Sequence, residues 1–352
     1  MPRARQLNST VTKSKSVGAL IIGCAGPSLT DSEVSFLQRY NPWGLIVFKR
    51  NCENPEQLKR LTTSFRTHVG RRNAPVFIDQ EGGRVQRMGP PSNVWRKYPA
   101  ARRYGELYEH DRLAGLKAPR SVGRLMAEDL IEAGITCDCV PVLDVPQPGS
   151  HEIISDRAYA TAAERVALLA RAHIAGLMEG GVLPVMKHIP GHGRARIDSH
   201  VGLPVVDATV AELAAVDFLP FAAFADAPMA MTAHVVYSDI DPALPATLSR
   251  KVISRVIRKT IGFDGLLMTD DLSMRALHGS FTEKVKAALG AGCDIVLHCN
   301  GNLDEMTEVA EAAGPLKGRA MTRARAALRR LRKPGKFDRR AALKDLERLE
   351  KL

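Results

Sequence analysis

The stretch FDGLLMTDD, residues 263–271, is an apolar run that ends in two carboxylates. Seven other short apolar runs are each followed by a segment of helical character, and they lie at 17–26, 44–51, 74–83, 134–145, 181–193, 228–237 and 293–301. Their apolar residues are consecutive rather than alternating, which is typical of parallel strands buried on both faces. Eight strands that alternate with helices predict a single α/β domain, a (β/α)8 barrel of the TIM type with C-terminal helices. An open doubly wound sheet is the less favoured alternative, because eight units divide poorly into two halves.

Three of the predicted helices begin with a capping box, in which a Thr and a Glu three residues later bond to each other's backbone N–H. These are Thr30–Glu33, Thr161–Glu164 and Thr209–Glu212. The predicted organisation is a basic flexible N-terminus at 1–16, the catalytic barrel at 17–335 and a C-terminal helical tail at 336–352 that packs on the barrel.

Composition and charge argue against nucleic-acid binding and membrane insertion. The net charge is +12, but the first sixteen residues hold four Lys and Arg side chains and no acid, and 317–340 is also rich in both. A basic excess at the two ends, with 5% aromatic residues, does not predict a protein that reads nucleic acid. No run approaches the roughly eighteen apolar residues of a membrane span.

The six cysteines (Cys24, Cys52, Cys137, Cys139, Cys293 and Cys299) occur without CxxC spacing, and five of them lie in or at the end of apolar runs. They are interpreted as buried, reduced thiols of a cytoplasmic protein. The run at 17–26 after a basic N-terminus also resembles a lipoprotein signal with Cys24 as the lipidated residue. That run is short, however, and is needed as the first strand.

Polar side chains follow six of the predicted strands. In a barrel of this type the carboxyl ends of all strands meet at one face, where catalytic residues lie. The candidates are Asp79, Glu81, Arg84 and Arg87 after the third strand, Asp156 and Arg157 after the fourth, Lys187 and His188 at the fifth, His234 at the sixth, Asp270 and Asp271 at the seventh, and His298 and Asn300 at the eighth. This concentration of charge and imidazole predicts an active site.

The stretch KHIPGHGRARIDSH, residues 187–200, places three histidines and an aspartate in one loop. A zinc site is one interpretation, although the histidines are spaced across glycines and a proline rather than on one helix face. GHG is not a dinucleotide fingerprint, and Ser199 lies too close in sequence to Asp198 and His200 for a nucleophile triad. The third interpretation is an acid/base histidine that serves a carboxylate elsewhere.

Asp270 is the candidate for that carboxylate. A carboxylate can attack an anomeric carbon if an acid on the opposite side protonates the departing oxygen. Histidine can act as this acid, because its unperturbed pKa of roughly 6.5 lets it donate and accept a proton near neutrality. Asp198, two residues from His200, is placed to hold one ring nitrogen and to favour the imidazolium. The glycines and proline then predict a loop that closes over a bound sugar.

The set IDQEGGRVQR (78–87), DRAYA (156–160), KHIPGHGRARIDSH (187–200), TAH (232–234) and MTDDLSM (268–274) resembles the glycoside hydrolase family 3 β-N-acetylhexosaminidases, the β-N-acetylglucosaminidases of bacterial peptidoglycan recycling. The likeness covers about residues 17 to 315 in the family's order. This sequence departs from the usual pattern at Ile189, where Phe is common, and at Ala158-Tyr159-Ala160. Neither departure removes a chemical group.

The resemblance implies a retaining, double-displacement hydrolysis with no cofactor and no metal. It implies that Asp270 is the nucleophile and that Asp198 orients His200 as the acid/base. The sugar is then expected to contact Asp79, Arg87, Arg157, Lys187 and His188, with His234 and Met274 lining the pocket. Asp271 is the rival nucleophile, but alternation along a strand would place the two carboxylates on opposite faces. Glu81 is expected to brace its loop, and Asp138 and Asp144 to hold the barrel together by hydrogen bonds.

The resemblance further implies a monomeric cytoplasmic enzyme whose partners are sugars rather than nucleic acids or membranes. The implied substrate is GlcNAc-1,6-anhydroMurNAc, with or without peptide, from which terminal GlcNAc is removed. β-Glucosidases of the same family carry their acid carboxylate on a second domain, whereas this sequence carries an Asp-His pair. Phosphorolysis, metal-dependent hydrolysis and non-catalytic sugar binding remain alternatives.

Overall fold

Eight parallel strands close into one barrel, which confirms the predicted (β/α)8 fold. The computed structural model describes residues 16–90 and 94–352, so the predicted flexible N-terminus lies outside the described residues apart from Ser16. The barrel strands are β1 (Gly18–Ile22), β2 (Pro42–Val47), β3 (Val76–Ile78), β6 (Cys137–Asp138), β7 (Leu183–Ile189), β9 (Met229–Thr232), β11 (Leu266–Asp271) and β12 (Ile295–His298). Around the barrel their order is β1-β12-β11-β9-β7-β6-β3-β2.

Four short strands lie outside the barrel: β4 (Gln80–Gly82), β5 (Val85–Gln86), β8 (Val205–Val206) and β10 (Val236–Tyr237). β4 and β5 form an antiparallel pair directly after β3, and β8 and β10 pair in parallel. Both pairs follow barrel strands on the carboxyl side. They therefore build up the face on which polar residues were predicted.

Helices surround the barrel and continue after it. They are α1 (Asp31–Tyr40), α2 (Pro55–His68), α3 (Arg102–His110), α4 (Arg112–Glu132), α5 (Ala163–Glu179), α6 (Val210–Ala215), α7 (Phe218–Ala223), α8 (Phe281–Ala291), α9 (Leu303–Ala313), α10 (Gly318–Leu328) and α11 (Arg339–Glu350), with a π-helical segment at Val252–Thr260. In α11 Leu346 and Leu349 are buried, and the helix packs on α4. In the described part of the chain no helix is long and apolar enough to cross a membrane.

Two of the three predicted capping boxes are confirmed, at Thr30 and at Thr209. The third prediction is wrong, because α5 begins at Ala163 and its N-cap is Ala162, which has no side chain that could accept a bond. Thr161 therefore lies one position too early to cap the helix. An additional capping box is formed by Ser280 and Glu283 at the start of α8.

The consecutive apolar residues of the strands are divided between two hydrophobic clusters. In β1, Leu20 and Ile22 pack outward with the helices, whereas Ala19 and Ile21 pack inside the barrel. This alternation explains why a strand buried on both faces needs apolar residues at every position. The run that resembled a lipoprotein signal thus provides a central strand, and Cys24 after it is buried.

The amino-terminal end of the barrel is closed by α10, whose Ala324 and Ala327 belong to the inner cluster. Asp294, at the start of β12, connects this helix to the barrel. Its two carboxylate oxygens lie 3.0 Å from Arg323 of α10 and 3.0 Å from Arg258 of the π-helical segment, and one of them accepts the backbone N–H of Leu267 at 2.9 Å. Asp294 itself is buried.

We expect Asp294→Ala to lower the free energy of unfolding by about 3–5 kcal/mol, because it leaves two guanidinium groups without their buried partner. Asp264 provides the matched control, since it contacts the same Arg323 from a carboxylate that is 75% exposed. Asp264→Ala should cost less than about 1 kcal/mol. Urea unfolding of both variants measures the difference. Equal decreases in the free energy of unfolding would contradict the view that the buried Asp294 contributes more to stability than the exposed Asp264.

Candidate active site

A cavity of about 250 Å³ opens at the carboxyl ends of the barrel strands. Eight of the ten predicted site residues line it: Asp79, Arg87, Arg157, Lys187, His188, His200, Asp270 and Met274. Asp198 contacts the rim residue His200, and His234 is not part of the cavity wall. The wall also contains Glu81, His192, Ser199, Asp271 and Cys299, with the apolar side chains of Ile46, Phe48, Val85, Ile153, Ile154, Met231 and Leu297.

One side of the cavity is an alternating chain of three cations and two carboxylates. Lys187 lies between Asp79 (2.7 Å) and Glu81 (2.6 Å). Asp79 also binds Arg87 at 2.9 Å, and Glu81 binds Arg157 through two parallel bonds of 2.8 Å each. The chain joins the end of β3, the β4–β5 pair, the loop after β6 and the end of β7. Glu81 therefore does more than brace its own loop, because it orients two of the predicted sugar-binding cations.

These pairs fix the charge of the carboxylates. Burial by itself would raise the pKa of Asp79, but Lys187 and Arg87 outweigh it and hold that pKa well below its usual range. Burial likewise opposes ionisation of Glu81, but Arg157 and Lys187 lower its pKa from 4.5 to about 2. Both carboxylates are consequently ionised at neutral pH, and the three cations are presented to the cavity in fixed positions.

Asp144 anchors the start of the stretch 187–200, which carries Asp198 and His200. Its fully buried carboxylate accepts the Nδ1–H of His188 at 2.7 Å and the backbone N–H of His188 and of His192 at 3.2 and 2.6 Å. Because Nδ1 of His188 is bonded to Asp144, Nε2 is the ring nitrogen that remains for a ligand. Burial lowers the pKa of His192 to about 4, so that ring is neutral at neutral pH.

Asp198 and His200 form the predicted pair on the loop after β7. The carboxylate oxygen Oδ1 of Asp198 accepts from Nδ1 of His200 at 2.8 Å and from the His200 backbone N–H at 2.9 Å. Burial opposes ionisation of Asp198, but these bonds outweigh it and lower its pKa. The His200 side chain is 65% exposed. Its Nε2 is therefore available at the rim of the cavity.

Both Asp270 and Asp271 line the cavity, which contradicts the expectation that they face opposite sides of the strand. The reason is a register shift between β11 and β12. Met268 pairs with Ile295 and Asp271 with Leu297, so three residues of β11 follow where β12 advances by two. Such a bulge inserts one extra residue and interrupts the alternation of side chains.

Hydrogen bonding distinguishes the two carboxylates. Oδ1 of Asp271 accepts the backbone N–H groups of Ser273 (3.0 Å) and Cys299 (3.2 Å), and Oδ2 accepts the Ser273 hydroxyl at 2.6 Å. Asp270 receives a bond at Oδ1 from the Asp271 backbone N–H, 2.8 Å away. No group of the described residues donates to Asp270 Oδ2. Burial would raise the pKa of Asp270, but His188, the backbone N–H of Asp271 and Lys187 help to lower it, so its free oxygen is anionic at neutral pH.

His234 lies behind the cavity wall, contrary to the expectation that it lines the pocket. It is buried, and both of its ring nitrogens have protein partners, Thr247 Oγ1 at 2.7 Å and the Asp271 carbonyl at 3.0 Å. His298 is also fully buried, with its ring against Phe281. Neither imidazole lines the cavity. Within residues 16–90 and 94–352, no group of three or more His, Cys, Asp or Glu side chains is arranged to hold a metal ion.

Comparison with known proteins agrees with this geometry. A family model, the glycosyl hydrolase family 3 N terminal domain, matches residues 6–333. The chain belongs to glycosyl hydrolase family 3. Two curated relatives are named beta-hexosaminidase. The one from Alkalilimnicola ehrlichii is 39% identical over 290 residues, which cover 81% of each chain, and the one from Bordetella avium is 37% identical over 289 residues.

Solved structures of family 3 proteins share the barrel. NagZ from Neisseria gonorrhoeae in complex with zinc ion has a TM-score of 0.84 and 31% identity, and the match covers 95% of this chain and 98% of that one. NagZ from the same organism in complex with N-trifluoroacetyl-D-glucosamine has a TM-score of 0.79 and 32% identity over the same shares. The structural similarity thus extends over nearly the whole length of both chains.

Three residues contribute to this family 3 site although the sequence analysis did not predict them as site residues. Glu81 and Asp144 looked like braces, yet they set the positions of Lys187, Arg157 and His188. Phe48 lines the cavity beneath Arg87 and Arg50, whose guanidinium carbons lie 5.0 and 5.1 Å from its ring centre. A polar residue within an apolar run of the sequence indicates Glu81 and Asp144, whereas an aromatic residue in such a run, like Phe48, gives no comparable indication.

We expect Glu81 and its neighbour Asp138 to affect stability with opposite pH dependence. The pKa of Glu81 is lowered when the chain folds, so its stabilising contribution is complete above pH 4.5 and is lost as the pH falls toward about 2. The stability gap between wild type and Glu81→Gln should therefore shrink over that range.

Burial raises the pKa of Asp138 well above 3.8, and its Oδ2 has no bonding partner. Asp138 therefore favours the folded state at low pH and loses this contribution as the pH rises. Asp138→Asn should gain stability relative to wild type with rising pH. Urea unfolding at several pH values tests both variants, and parallel curves would contradict the assigned charge states.

Proposed function

We propose that this family 3 chain is a retaining exo-β-N-acetylglucosaminidase, in which Asp270 is the nucleophile and His200, oriented by Asp198, is the acid/base. One observation carries the proposal: an ionised carboxylate with a free oxygen and an imidazole with a free Nε2 line the same small cavity. The family and the names of the relatives support the broader activity, that of a β-hexosaminidase (EC 3.2.1.52).

In the first step, Asp270 Oδ2 attacks C1 of the sugar and forms a glycosyl ester. The bond between C1 and the glycosidic oxygen breaks with its electron pair on that oxygen, which takes the proton from Nε2 of His200. The carboxylate of Asp198, 2.8 Å from Nδ1, stabilises the imidazolium that donates this proton. The leaving group departs as a neutral alcohol.

In the second step, a water molecule replaces the leaving group. His200, now neutral, accepts a proton from the water at Nε2 while the water oxygen attacks C1. The ester bond to Asp270 breaks and restores the carboxylate, and two inversions give net retention at C1. The Asp198–His200 pair thus donates and accepts one proton in each cycle.

The wall opposite His200 supplies the contacts for the sugar. Arg87, Arg157, Lys187 and His188 offer donors, and Asp79 offers an acceptor, to the hydroxyl and N-acetyl groups of one residue. At about 250 Å³, the cavity is smaller than the roughly 300–1,000 Å³ of pockets that hold drug-sized ligands. This size favours a single terminal sugar and therefore exo action. The N-acylated glucosamine bound to the gonococcal relative is consistent with GlcNAc in this position.

We propose further that the substrate is a peptidoglycan fragment, GlcNAc-1,6-anhydroMurNAc with or without peptide, and that cleavage occurs in the cytoplasm during cell-wall recycling. The support is the resemblance of the motifs at 78–87, 187–200 and 268–274 to the family members of that pathway. The enzyme is proposed to act as a monomer without a cofactor.

A hydrolysis panel tests the reaction. Aryl β-glycosides of GlcNAc, GalNAc and glucose should be cleaved with a preference for GlcNAc, in the presence of EDTA and at the same rate with or without phosphate. Preference for glucose would overturn the sugar assignment. Loss of activity in EDTA would indicate metal-dependent hydrolysis, and release of a sugar phosphate would indicate phosphorolysis.

Asp270→Ala should abolish turnover without unfolding the protein, because the other carboxylates of the cavity wall among the described residues, Asp79, Glu81 and Asp271, have both oxygens bonded to protein groups. A fluorinated glycosyl fluoride with a good leaving group should label wild type at residue 270, as read by peptide mass spectrometry. Asp271→Asn should still acquire the label at residue 270. Near-normal turnover in Asp270→Ala, or a label at residue 271, would discard the nucleophile assignment.

His200→Ala should reduce cleavage of the disaccharide far more than cleavage of an aryl glycoside, since only the sugar leaving group needs protonation. Asp198→Asn should show the same selectivity in milder form, because His200 retains its ring but loses the carboxylate. Steady-state rates on both substrates measure the ratio. Equal losses on the two substrates would contradict an acid role for His200.

A further inference from the structure

The bulge in β11 determines where Asp270 points, and it is held by contacts that the catalytic proposal does not use. At the bulge, the backbone N–H of Leu297 bonds to the Thr269 hydroxyl at 2.9 Å instead of continuing the ladder. The ladder resumes where Leu272 N–H bonds to the Leu297 carbonyl at 3.0 Å. Between these bonds, Asp271 is the residue whose carboxylate and carbonyl are both engaged.

His234 is the buried side chain that bonds to this carbonyl. A carbonyl oxygen accepts and never donates, so Nε2 of His234 carries a proton. Burial lowers the pKa of His234, which leaves the ring neutral and makes Nδ1 an acceptor. Thr247 Oγ1, 2.7 Å away, must then donate to Nδ1, and Thr232 Oγ1 donates to Thr247 at 2.8 Å. The Ala233 carbonyl competes for the same Thr247 proton, but it lies farther from Thr247 Oγ1, at 3.1 Å.

The resulting chain runs in one direction, from the Thr232 hydroxyl through the Thr247 hydroxyl and the His234 ring to the Asp271 carbonyl. All three side chains are buried. It joins the end of β9, the short 3₁₀ helix at Ala246–Leu248 and the end of β11. The His234 tautomer is set by the Asp271 carbonyl, which can only accept, and the neutral ring in turn leaves Nδ1 to accept the single Thr247 proton.

We propose that His234 is a positioning residue for Asp270: its Nε2–H bond to the Asp271 carbonyl holds the bulge in the form that aims the nucleophile at the sugar. This inference rests on the proposed role of Asp270 as nucleophile. The mechanical argument is direct, because the Asp271 backbone N–H donates to Asp270 Oδ1 at 2.8 Å. A rotation of residue 271 moves that donor and frees the carboxylate to turn.

The same bond explains why a histidine stands at a position that does not line the cavity. The Asp271 carbonyl also accepts the backbone N–H of Met274 at 3.2 Å. An apolar side chain at 234 would remove the shorter, 3.0 Å bond, so that only the contact within the same turn would hold this carbonyl. A substitution far from the reacting atoms that shifts a catalytic group by about 1 Å can lower the rate about 100-fold. His234 therefore acts on the rate of attack and leaves the binding groups Arg87, Arg157 and Lys187 in place.

His234→Leu and His234→Gln, in the full-length chain, test the proposal. The Leu variant removes the Nε2–H donor, whereas the amide nitrogen of Gln can reach the same carbonyl. We expect His234→Leu to lower kcat, and the rate of labelling by the fluorinated glycosyl fluoride, by about 10- to 100-fold. Inhibition by free GlcNAc, a measure of sugar binding, should change little. His234→Gln should recover part of the loss. Thr247→Val, which removes the hydrogen bond to Nδ1, should lower kcat and the labelling rate less than His234→Leu does.

His173→Leu is the matched control, since His173 is equally buried but bonds to Tyr159 on the helical side of the barrel. It should lower stability without lowering kcat. A folded His234→Leu with wild-type kcat, or a Gln variant no better than Leu, would overturn the proposal. So would a parallel loss of kcat and GlcNAc binding, which would make His234 a binding residue.

Two further comparisons complete the test. If His234→Leu fails to fold, Thr247→Val decides, since it nearly keeps the buried volume and removes the hydrogen bond that holds the His234 ring at Nδ1. A wild-type labelling rate in Thr247→Val would then overturn the proposal. Asp270→Ala is measured in parallel. Retained turnover in that variant would refute the nucleophile itself, whereas an inactive Asp270→Ala with a fully active His234→Leu would refute the positioning role alone.

Discussion

The ammonium of Lys187 lies 2.7 Å from Asp79 and 2.6 Å from Glu81, with 3% of its side chain exposed. A charge in such surroundings is stable only when it is paired and hydrogen-bonded. Two carboxylates for one ammonium would leave a net negative charge, and Arg87 and Arg157 compensate it from the outer sides. The side wall of the cavity meets this requirement with charged groups from three separate segments, which are the stretch 79–87, the loop after β6 and the end of β7. A sugar that enters meets donors that already have fixed positions and need no rearrangement.

Irregular strand pairing supplies the second constraint. β7 contains one more residue than β9 between Met186 and Ile189, just as β11 exceeds β12 between Met268 and Asp271. In both cases two consecutive residues line the cavity, Lys187 with His188 and Asp270 with Asp271. A regular strand presents alternate residues to one face. The extra residues thus double the functional groups that two strands can bring to the site.

Sequence patterns predicted the barrel, the set of strand ends and most of the cavity wall, because continuous apolar runs and terminal polar residues are local properties. The incorrect predictions concern features that depend on contacts between residues distant in the sequence. Alternation misplaced Asp271 because a bulge depends on the neighbouring strand. His234 was expected in the pocket because it ends a strand, but its partners Thr247 and Asp271 are distant in the chain. The capping box at Thr161 failed by one residue, since the start of α5 is set by packing as well as by its first turn.

The two halves of the proposed chemistry differ in rigidity. Asp270 belongs to a barrel strand and is fixed by the backbone N–H of Asp271. Asp198 and His200 lie on a loop that is hydrogen-bonded to the barrel at its start and exposed to solvent near residue 201. Tyr237 bonds to the Gly191 carbonyl at 2.6 Å and Arg194 to Asp217 at 2.7 Å, while Val201 is 67% exposed. Exposed segments with few buried contacts open most easily. The nucleophile must meet one invariant atom, C1, but the acid must reach an oxygen that belongs to the leaving group. A fixed carboxylate and a loop-borne imidazole therefore match the different demands of the two bonds that change.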